Sequence, residues 1–267
     1  MLCSDLALSQ RLERAEAHAC AQFAEARRRI YPASGAEWIE CAGAYAVFDG
    51  VDSPITQTFG LGVFEPVTAD VLNIIERFFH DRAAPVFHEV SPLAGVDALN
   101  LLCERHYVPV ELSSVLYQPI PEPSKTENGI TVRVASPDEA DLFTSISTAA
   151  WGHEHPELHT FLGETAALWT ARADSACFLA ALDGEPGAAG SLCIHNGVAL
   201  FAGAATIPAM RRRGLQSALI DERLRYAHEH GCDLAMMVAA AGSESQRNAE
   251  RRGFRIAYTR TKWRLNK

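Results

Sequence analysis

A chain of 267 residues that is 48% hydrophobic and 21% charged can bury the core of one large domain or of two ordinary ones, and it is neither disordered nor fibrous in balance. The net charge of −9 excludes wholesale binding to nucleic acid or to an anionic membrane, because each demands a broad positive surface. Seven cysteines stand singly, with no C-x-x-C pair and no zinc-type histidine spacing, so free thiols in a reducing compartment and no metal are expected.

The N-terminal segment lacks a basic region followed by an apolar core, and no window approaches the roughly 18 apolar residues of a membrane span, which predicts a cytoplasmic protein with no membrane partner. Leu8, Leu12, Ala15, Ala19, Phe23, Ala26 and Ile30 recur every three or four positions, the spacing of one face of a long helix that stops at Pro32. That stripe suits packing on the helix's own domain or a coiled-coil partner. Strand-like runs follow at Glu37 to Phe48 and Ile55 to Val63, separated by Asp49-Gly50. A helix from about Thr68 to Arg82, a short strand Pro85 to Val90, a second helix to about His106 and a strand Val110 to Tyr117 complete a mixed α/β pattern.

Between Gln118 and Gly129 three prolines and several polar residues forbid regular structure, which marks a boundary: residues 1–120 as one domain, 121–129 as linker and 130–267 as a second. A strand is predicted at Ile130 to Ala135, with helices at Asp138 to Ala150 and Leu158 to Ala173. Three strands, Cys177 to Leu182, Gly187 to His195 and Val198 to Thr206, are joined at Asp183-Gly184 and Asn196-Gly197, dipeptides that suit tight hairpins. A helix from about Leu215 to His230, a strand Leu234 to Ala239, a short helix opened by the S-x-x-Q box of Ser243 and Gln246 and stopped at Gly253, and a last strand Ile256 to Leu265 end the chain.

The halves echo each other. Glu76-Arg77 and Glu222-Arg223, Glu104-Arg105 and Glu250-Arg251, and Tyr117 and Trp263 each stand 146 positions apart, and the order of elements agrees, so a diverged tandem duplication is the preferred account.

After the strand ending at Thr206 come Arg211-Arg212-Arg213-Gly214-Leu215-Gln216-Ser217. A helix start exposes unpaired N–H groups and the positive end of its dipole; Gly214 would admit a close anion and the arginines would attract it. The same residues could form a plain solvated turn. The segment resembles motif A of the GNAT N-acetyltransferase superfamily, Q/R-x-x-G-x-G/A. Arg211 and Gly214 match its first and fourth positions, Gln216 stands where Gly or Ala is usual, and the similarity runs over residues 130 to 267, including Arg252-Gly253-Phe254.

The resemblance implies two tandem GNAT-like domains, each a mixed, mostly antiparallel sheet flanked by helices, acting as monomer or homodimer. It implies acetyl-CoA as co-substrate and a primary amine of a small molecule or peptide as acceptor, attacking the thioester directly. The pantetheine arm would pair with main chain at Ala204, Ala205, Thr206 and Ile207, and the diphosphate with Arg211, Arg212, Arg213, Gly214, Leu215, Gln216 and Ser217. Ser243, Ser245 and Asn248 would lie within reach of the arm, with Arg251 beside them, although Ser243 would equally serve as a cap and Arg251 as a surface charge. The tyrosine often used as acid is replaced by Ala249, and the fourth strand carries no glutamate base. Substitutes are Tyr258 or Ser245 as acid, and His195 or the His153-Glu154-His155 group as base. The corresponding turn of the first half, Phe64 to Asp70, has two acids and no arginine, so that half is expected to bind no CoA. A non-catalytic acyl-CoA sensor is the alternative reading.

Overall fold

The amphipathic N-terminal stretch forms α1, Leu6–Ile30, with Asp5 as N-cap accepting from the Leu8 amide. The computed structural model describes residues 4–122, 129–151 and 159–266. Six of the seven predicted core positions of α1 are buried and Ile30 is exposed. Burial also reaches Ser9, Glu13, Ala17, Ala21, Ala24 and Arg27, so α1 is covered on more than one face and uses its breadth within its own domain.

After it come β1 (Glu37–Cys41), β2 (Ala44–Phe48), β3 (Gln57–Phe59), α2 (Ala69–His80), β4 (Phe87–Val90), α3 (Val96–Glu104) and β5 (Tyr107–Pro119). The single strand expected from Glu37 to Phe48 is a hairpin, Glu37 pairing with Phe48 and Cys41 with Ala44. Its turn falls at Ala42 and Gly43, a pair without the Asn or Asp that marks the chain's other hairpins. The run Ile55 to Val63 keeps only three strand residues, because positive φ angles at Gly60 and Gly62 bend the chain out of the ladder.

The second half supplies β6 (Ile130–Val134), α4 (Ala140–Trp151), α5 (His159–Thr170), β7 (Ser175–Leu182), β8 (Glu185–His195), β9 (Val198–Thr206), α6 (Leu215–Glu229), β10 (Leu234–Ala240), α7 (Glu244–Arg251) and β11 (Arg255–Leu265). β7 to β9 form the expected antiparallel meander, β6 pairs antiparallel with β7 across the two intervening helices, and β10 lies parallel to β9. α2 and α6 begin 146 positions apart, at Ala69 and Leu215, and the order strand, turn, helix, parallel strand recurs around both. Most of the expected linker, residues 123–128, lies outside the described residues.

The elements pack as two compact units, Met1–Leu116 with Val238–Gln246 and Ile256–Lys267, and Tyr117–Met237 with Arg247–Arg255. In the first, β1 to β4 are followed by β11 and then β5, and β11 runs antiparallel to β4 with Trp263 opposite His88. The last strand in sequence therefore completes the first sheet. Trp263 joins a core of Phe48, Leu61, Leu72, Ile75, Phe79, Val90 and Leu102. β11 also places Arg260 in a buried polar group, within 3.5 Å of Glu13, 2.5 Å of Glu16 and 3.0 Å of Glu89.

In the second unit the strand order is β10-β9-β8-β7-β6. One face of β7 and β8 carries Cys177, Leu179 and Ala189 against Phe143 and Ile146 of α4. Leu215, Leu219, Ile220, Leu224 and Ala227 give α6 its buried side. Among the described residues no helix is long and apolar enough to cross a membrane.

Candidate functional site

β9 is the strand on which the second unit's site is built. Its parallel pairing with β10 runs only from Val198 with Leu234 to Phe201 with Met237, although β9 continues to Thr206. Beyond Phe201 the ladder to β10 stops, which leaves that edge of β9 without its regular partner. On the other side the register with β8 skips: Ala202 faces Ser191 and Ala205 faces Ala189, so Gly203 and Ala204 stand opposite Gly190 alone. This is a β-bulge, which interrupts the ladder and re-aims the backbone. Gly203 has φ +59° and is exposed, and a Cβ there would come within 3.2 Å of Ser191 Oγ. Glycine meets both demands.

From Thr206 the chain passes through a 3₁₀ turn at Pro208–Met210 into the arginine-rich segment. Arg212 has φ +61° and Gly214 +93°. Left-handed residues within a turn fold successive N–H groups into an anion-sized concavity, and they open directly onto α6. Gly214 is the N-cap of α6 and makes no side-chain cap hydrogen bond. The first amides of the helix thus keep their unpaired donors and the dipole keeps its positive end exposed. A Cβ on Gly214 would approach Ile130 Cδ1 to 3.2 Å in a backbone region that L side chains rarely adopt.

The three arginines do not share one role. Arg211 donates from Nε to Thr206 O and from Nη2 to Ala150 O, both at 3.2 Å, and so ties the turn to the end of β9 and the last turn of α4. Arg212 and Arg213 are exposed beside Gly214. Leu215 is buried, so only its backbone is available, while Gln216 and Ser217 are half-buried. Ala205 is buried, Ala204 and Ile207 are half-buried, and Thr206 Oγ1 is buried with no hydrogen-bond partner among the described residues. The turn, the bulge and this orphan hydroxyl gather on the carboxyl end of β9, the end at which ligands of open sheets collect.

The catalytic candidates are more scattered. His195 closes the β8–β9 hairpin, its Nε2 3.1 Å from Asn196 Nδ2. It pairs with Val198 at the start of β9, eight residue steps, or roughly 26 Å at strand rise, from Thr206. Tyr258 lies in the first unit, buried, its hydroxyl donating to Glu13 Oε1 at 2.8 Å. Burial and that carboxylate push its pKa further up, so the hydroxyl holds its proton. Ser245 is exposed on α7, and Ser243 caps the helix by accepting from the Gln246 amide at 3.2 Å. Asn248 is half-buried, its Oδ1 accepting from Arg251 Nη1. Ala249 is fully buried. His153, Glu154 and His155 lie outside the described residues.

Two groups went unnoticed in the sequence. Ser191 is fully buried and its hydroxyl donates to Ala202 O at 3.0 Å, behind the bulge. Arg223 of α6 is buried as well, donating to Leu219 O at 3.0 Å and Ser191 O at 3.2 Å, with its guanidinium 4.6 Å from the Phe201 ring centroid. Among the described residues no carboxylate pairs with it, and burial lowers its pKa to about 9. The isolated Gly203 inside a strand pattern was the available signal for the bulge.

The corresponding turn of the first unit differs in kind. Thr68 caps α2 with its own hydroxyl, accepting from the Val71 amide at 3.2 Å, and Glu65 and Asp70 are exposed around it. A donor is already used there, and the charge is of the wrong sign for an anion.

A strand that loses its parallel partner at a bulge and leads into an uncapped, arginine-flanked helix is an arrangement of the GNAT fold. Residues 140–254 match the profile of the acetyltransferase (GNAT) family. No curated protein matches the chain. Among solved structures, it is similar to a GCN5-related N-acetyltransferase from Kribbella flavida, with a TM-score of 0.63 and 20% identity over 93% of this chain and 96% of that one. A GCN5-related N-acetyltransferase from Sphaerobacter thermophilus gives 0.56 and 20% over 83% and 76%. A tandem GNAT protein from the clavulanic acid biosynthesis pathway gives 0.53 and 14% over 74% and 70%. The fold is GNAT, in a tandem arrangement.

Proposed function

We propose that this protein moves an acetyl group from acetyl-CoA to a primary amine of a small molecule or peptide, and that only the second repeat holds the co-substrate. The observation that carries this reading is the uncapped N-terminus of α6 behind Gly214, set against the Thr68-capped equivalent in the first repeat. Acetyl-CoA supplies an activated thioester. The amides from Arg212 to Ser217 bind its diphosphate, Arg212 and Arg213 add charge, and Arg211 keeps the turn against β9 and α4. The edge of β9 past Phe201 offers main-chain groups to the pantetheine arm, and a bulge amide polarises the thioester carbonyl. As the amine nitrogen bonds to the acetyl carbon and the C–S bond breaks, one proton must leave the amine and one must reach the sulfur.

A second reading, an acyl-CoA sensor without turnover, is favoured by the buried Ala249 in place of an acid and by the absence of an acidic residue along β9. A thermal-shift screen with acetyl-CoA and longer acyl-CoAs, followed by thiol release with an amine panel, separates the two. Stabilisation with amine-dependent thiol release supports the enzyme. Stabilisation with no release for any amine selects the sensor, and no stabilisation by any acyl-CoA removes both.

A further inference from the structure

We propose that Ser191, buttressed by Arg223, is a positioning residue that strengthens the Gly203 amide as the hydrogen-bond donor to the acetyl carbonyl. The proposal rests on the acetyl-CoA reading above and names the groups behind the strand that make the bulge work.

Ala202 C=O and Gly203 N–H are the two ends of one peptide group. A donor placed on that carbonyl draws electron density toward oxygen and makes the N–H at the other end a better donor, and the effect is larger away from water. The Ser191 hydroxyl is such a donor, 3.0 Å from Ala202 O, and Ser191 is wholly buried. The peptide it polarises leads straight into the bulge, where Gly203 and Ala204 have left their regular partners on β8. Gly203 is exposed while Ser191 is not, so the peptide group has a solvent-facing side and a protein-facing side at one position.

Arg223 occupies the layer beneath. Its Nη1 donates to Ser191 O at 3.2 Å, which fixes the residue whose hydroxyl must aim at Ala202 O. Among the described residues it also meets Leu219 O and the face of Phe201, neither of which neutralises a cation. A buried guanidinium without an anionic partner is costly, and a merely structural position would be filled as well by Leu or Met. Here the uncompensated charge stands behind the strand on which negative charge gathers as the carbonyl is attacked, an arrangement that lowers the energy of that charge. Gly190, opposite the bulge, lies against it: a Cβ there would stand in ordinary van der Waals contact with the guanidinium at 3.5 Å.

The test reads the bound thioester directly and needs no acceptor. Acetyl-CoA labelled with ¹³C at the acetyl carbonyl is bound to the native chain, Ser191→Ala and Arg223→Gln, and the carbonyl stretch is recorded by isotope-edited infrared difference spectroscopy beside calorimetric affinity. The native complex shifts the band to lower frequency. Ser191→Ala keeps the native affinity and loses most of that shift, and Arg223→Gln, which retains donors but no charge, loses part of it. A native band position in either variant that binds acetyl-CoA overturns the proposal, as does loss of binding in both while the native chain binds. Failure of the native chain to bind acetyl-CoA instead removes the acetyl-CoA reading itself, and the proposal with it.

Discussion

On the acetyl-CoA reading proposed above, the backbone N–H groups that open α6 receive the diphosphate, and at the scale of single residues Gly214 decides whether they are accessible. With φ at +93° and Ile130 Cδ1 3.2 Å from the place of a Cβ, it can accept no branched side chain without moving the turn. Gly214→Val is expected to reduce acetyl-CoA binding below detection by calorimetry, while circular dichroism stays native, since the left-handed penalty is about 1–2 kcal/mol for one residue. Native affinity in that variant would remove the turn from the site. The arginines divide by role: Arg213→Ala should weaken acetyl-CoA binding more than Arg211→Ala, because Arg211 donates to two backbone carbonyls, Thr206 O and Ala150 O. The opposite order of affinities would show Arg211 to be the principal phosphate ligand.

At the scale of elements, the two copies of strand, turn and helix carry opposite solutions to one problem, the four unpaired amides of a helix start. α2 satisfies one internally through Thr68, and α6 has no side-chain cap. Thr68→Ala is therefore expected to cost about 1 kcal/mol of stability in urea unfolding, without creating a CoA site, because Glu65 and Asp70 still surround the turn. Loss of much less than this would mean that the hydroxyl bond at 3.2 Å contributes nothing to the fold. Of the capping box predicted for α7, the Ser243 half is present, Gln246 N donating to Ser243 Oγ, while Gln246 Oε1 accepts from Gly242 N, one residue before the cap, and Ser243 N donates to Ala240 O. Short local signals of this kind are legible because both partners lie within one helical turn.

For the molecule as a whole, the first unit depends on the last strand of the chain. Removing residues 256–267 takes Trp263 from its core and Arg260 from Glu13, Glu16 and Glu89, so a chain ending at Arg255 should lose the unfolding transition of the first unit in calorimetry. Retention of that transition would show that β1 to β4 suffice. The same cluster makes stability depend on pH. Burial raises the Glu13 carboxyl from 4.5 to about 7, helped by Glu16 and Glu89 and opposed by Arg260 and the Tyr258 hydroxyl. The folded chain keeps a proton that the unfolded chain releases between these values, so this contribution is complete below about 4.5 and is lost as pH rises through about 7. Buried His88, lowered to about 3, acts in the reverse direction as acid is added, which is why the informative quantity is a difference between variants. Glu13→Gln, which still accepts from Tyr258, should gain on the native chain by on the order of 2 kcal/mol between pH 5 and pH 8. A difference that stays constant across that range would contradict the assignment.

The sequence by itself determined whatever depends on neighbours along the chain. The period of α1, the meander with its Asn-Gly and Asp-Gly turns, the element order repeated at 146 positions and the glycine that opens α6 are all legible in the chain itself, and with them came the resemblance to the GNAT fold. Even locally, a signal could be too plain to read: Ala42 and Gly43 turn a hairpin without an Asn or Asp. Tertiary structure alone decided the partners of buried polar groups. It brought β11 to β4, gave the Tyr258 hydroxyl to Glu13 and separated His195 from the turn by the length of β9. It also set Ser191 and Arg223 behind Gly203. These outcomes turn on contacts between residues far apart in sequence, whose energies depend on burial and on hydrogen-bond geometry, and neither quantity is carried by residue type or spacing.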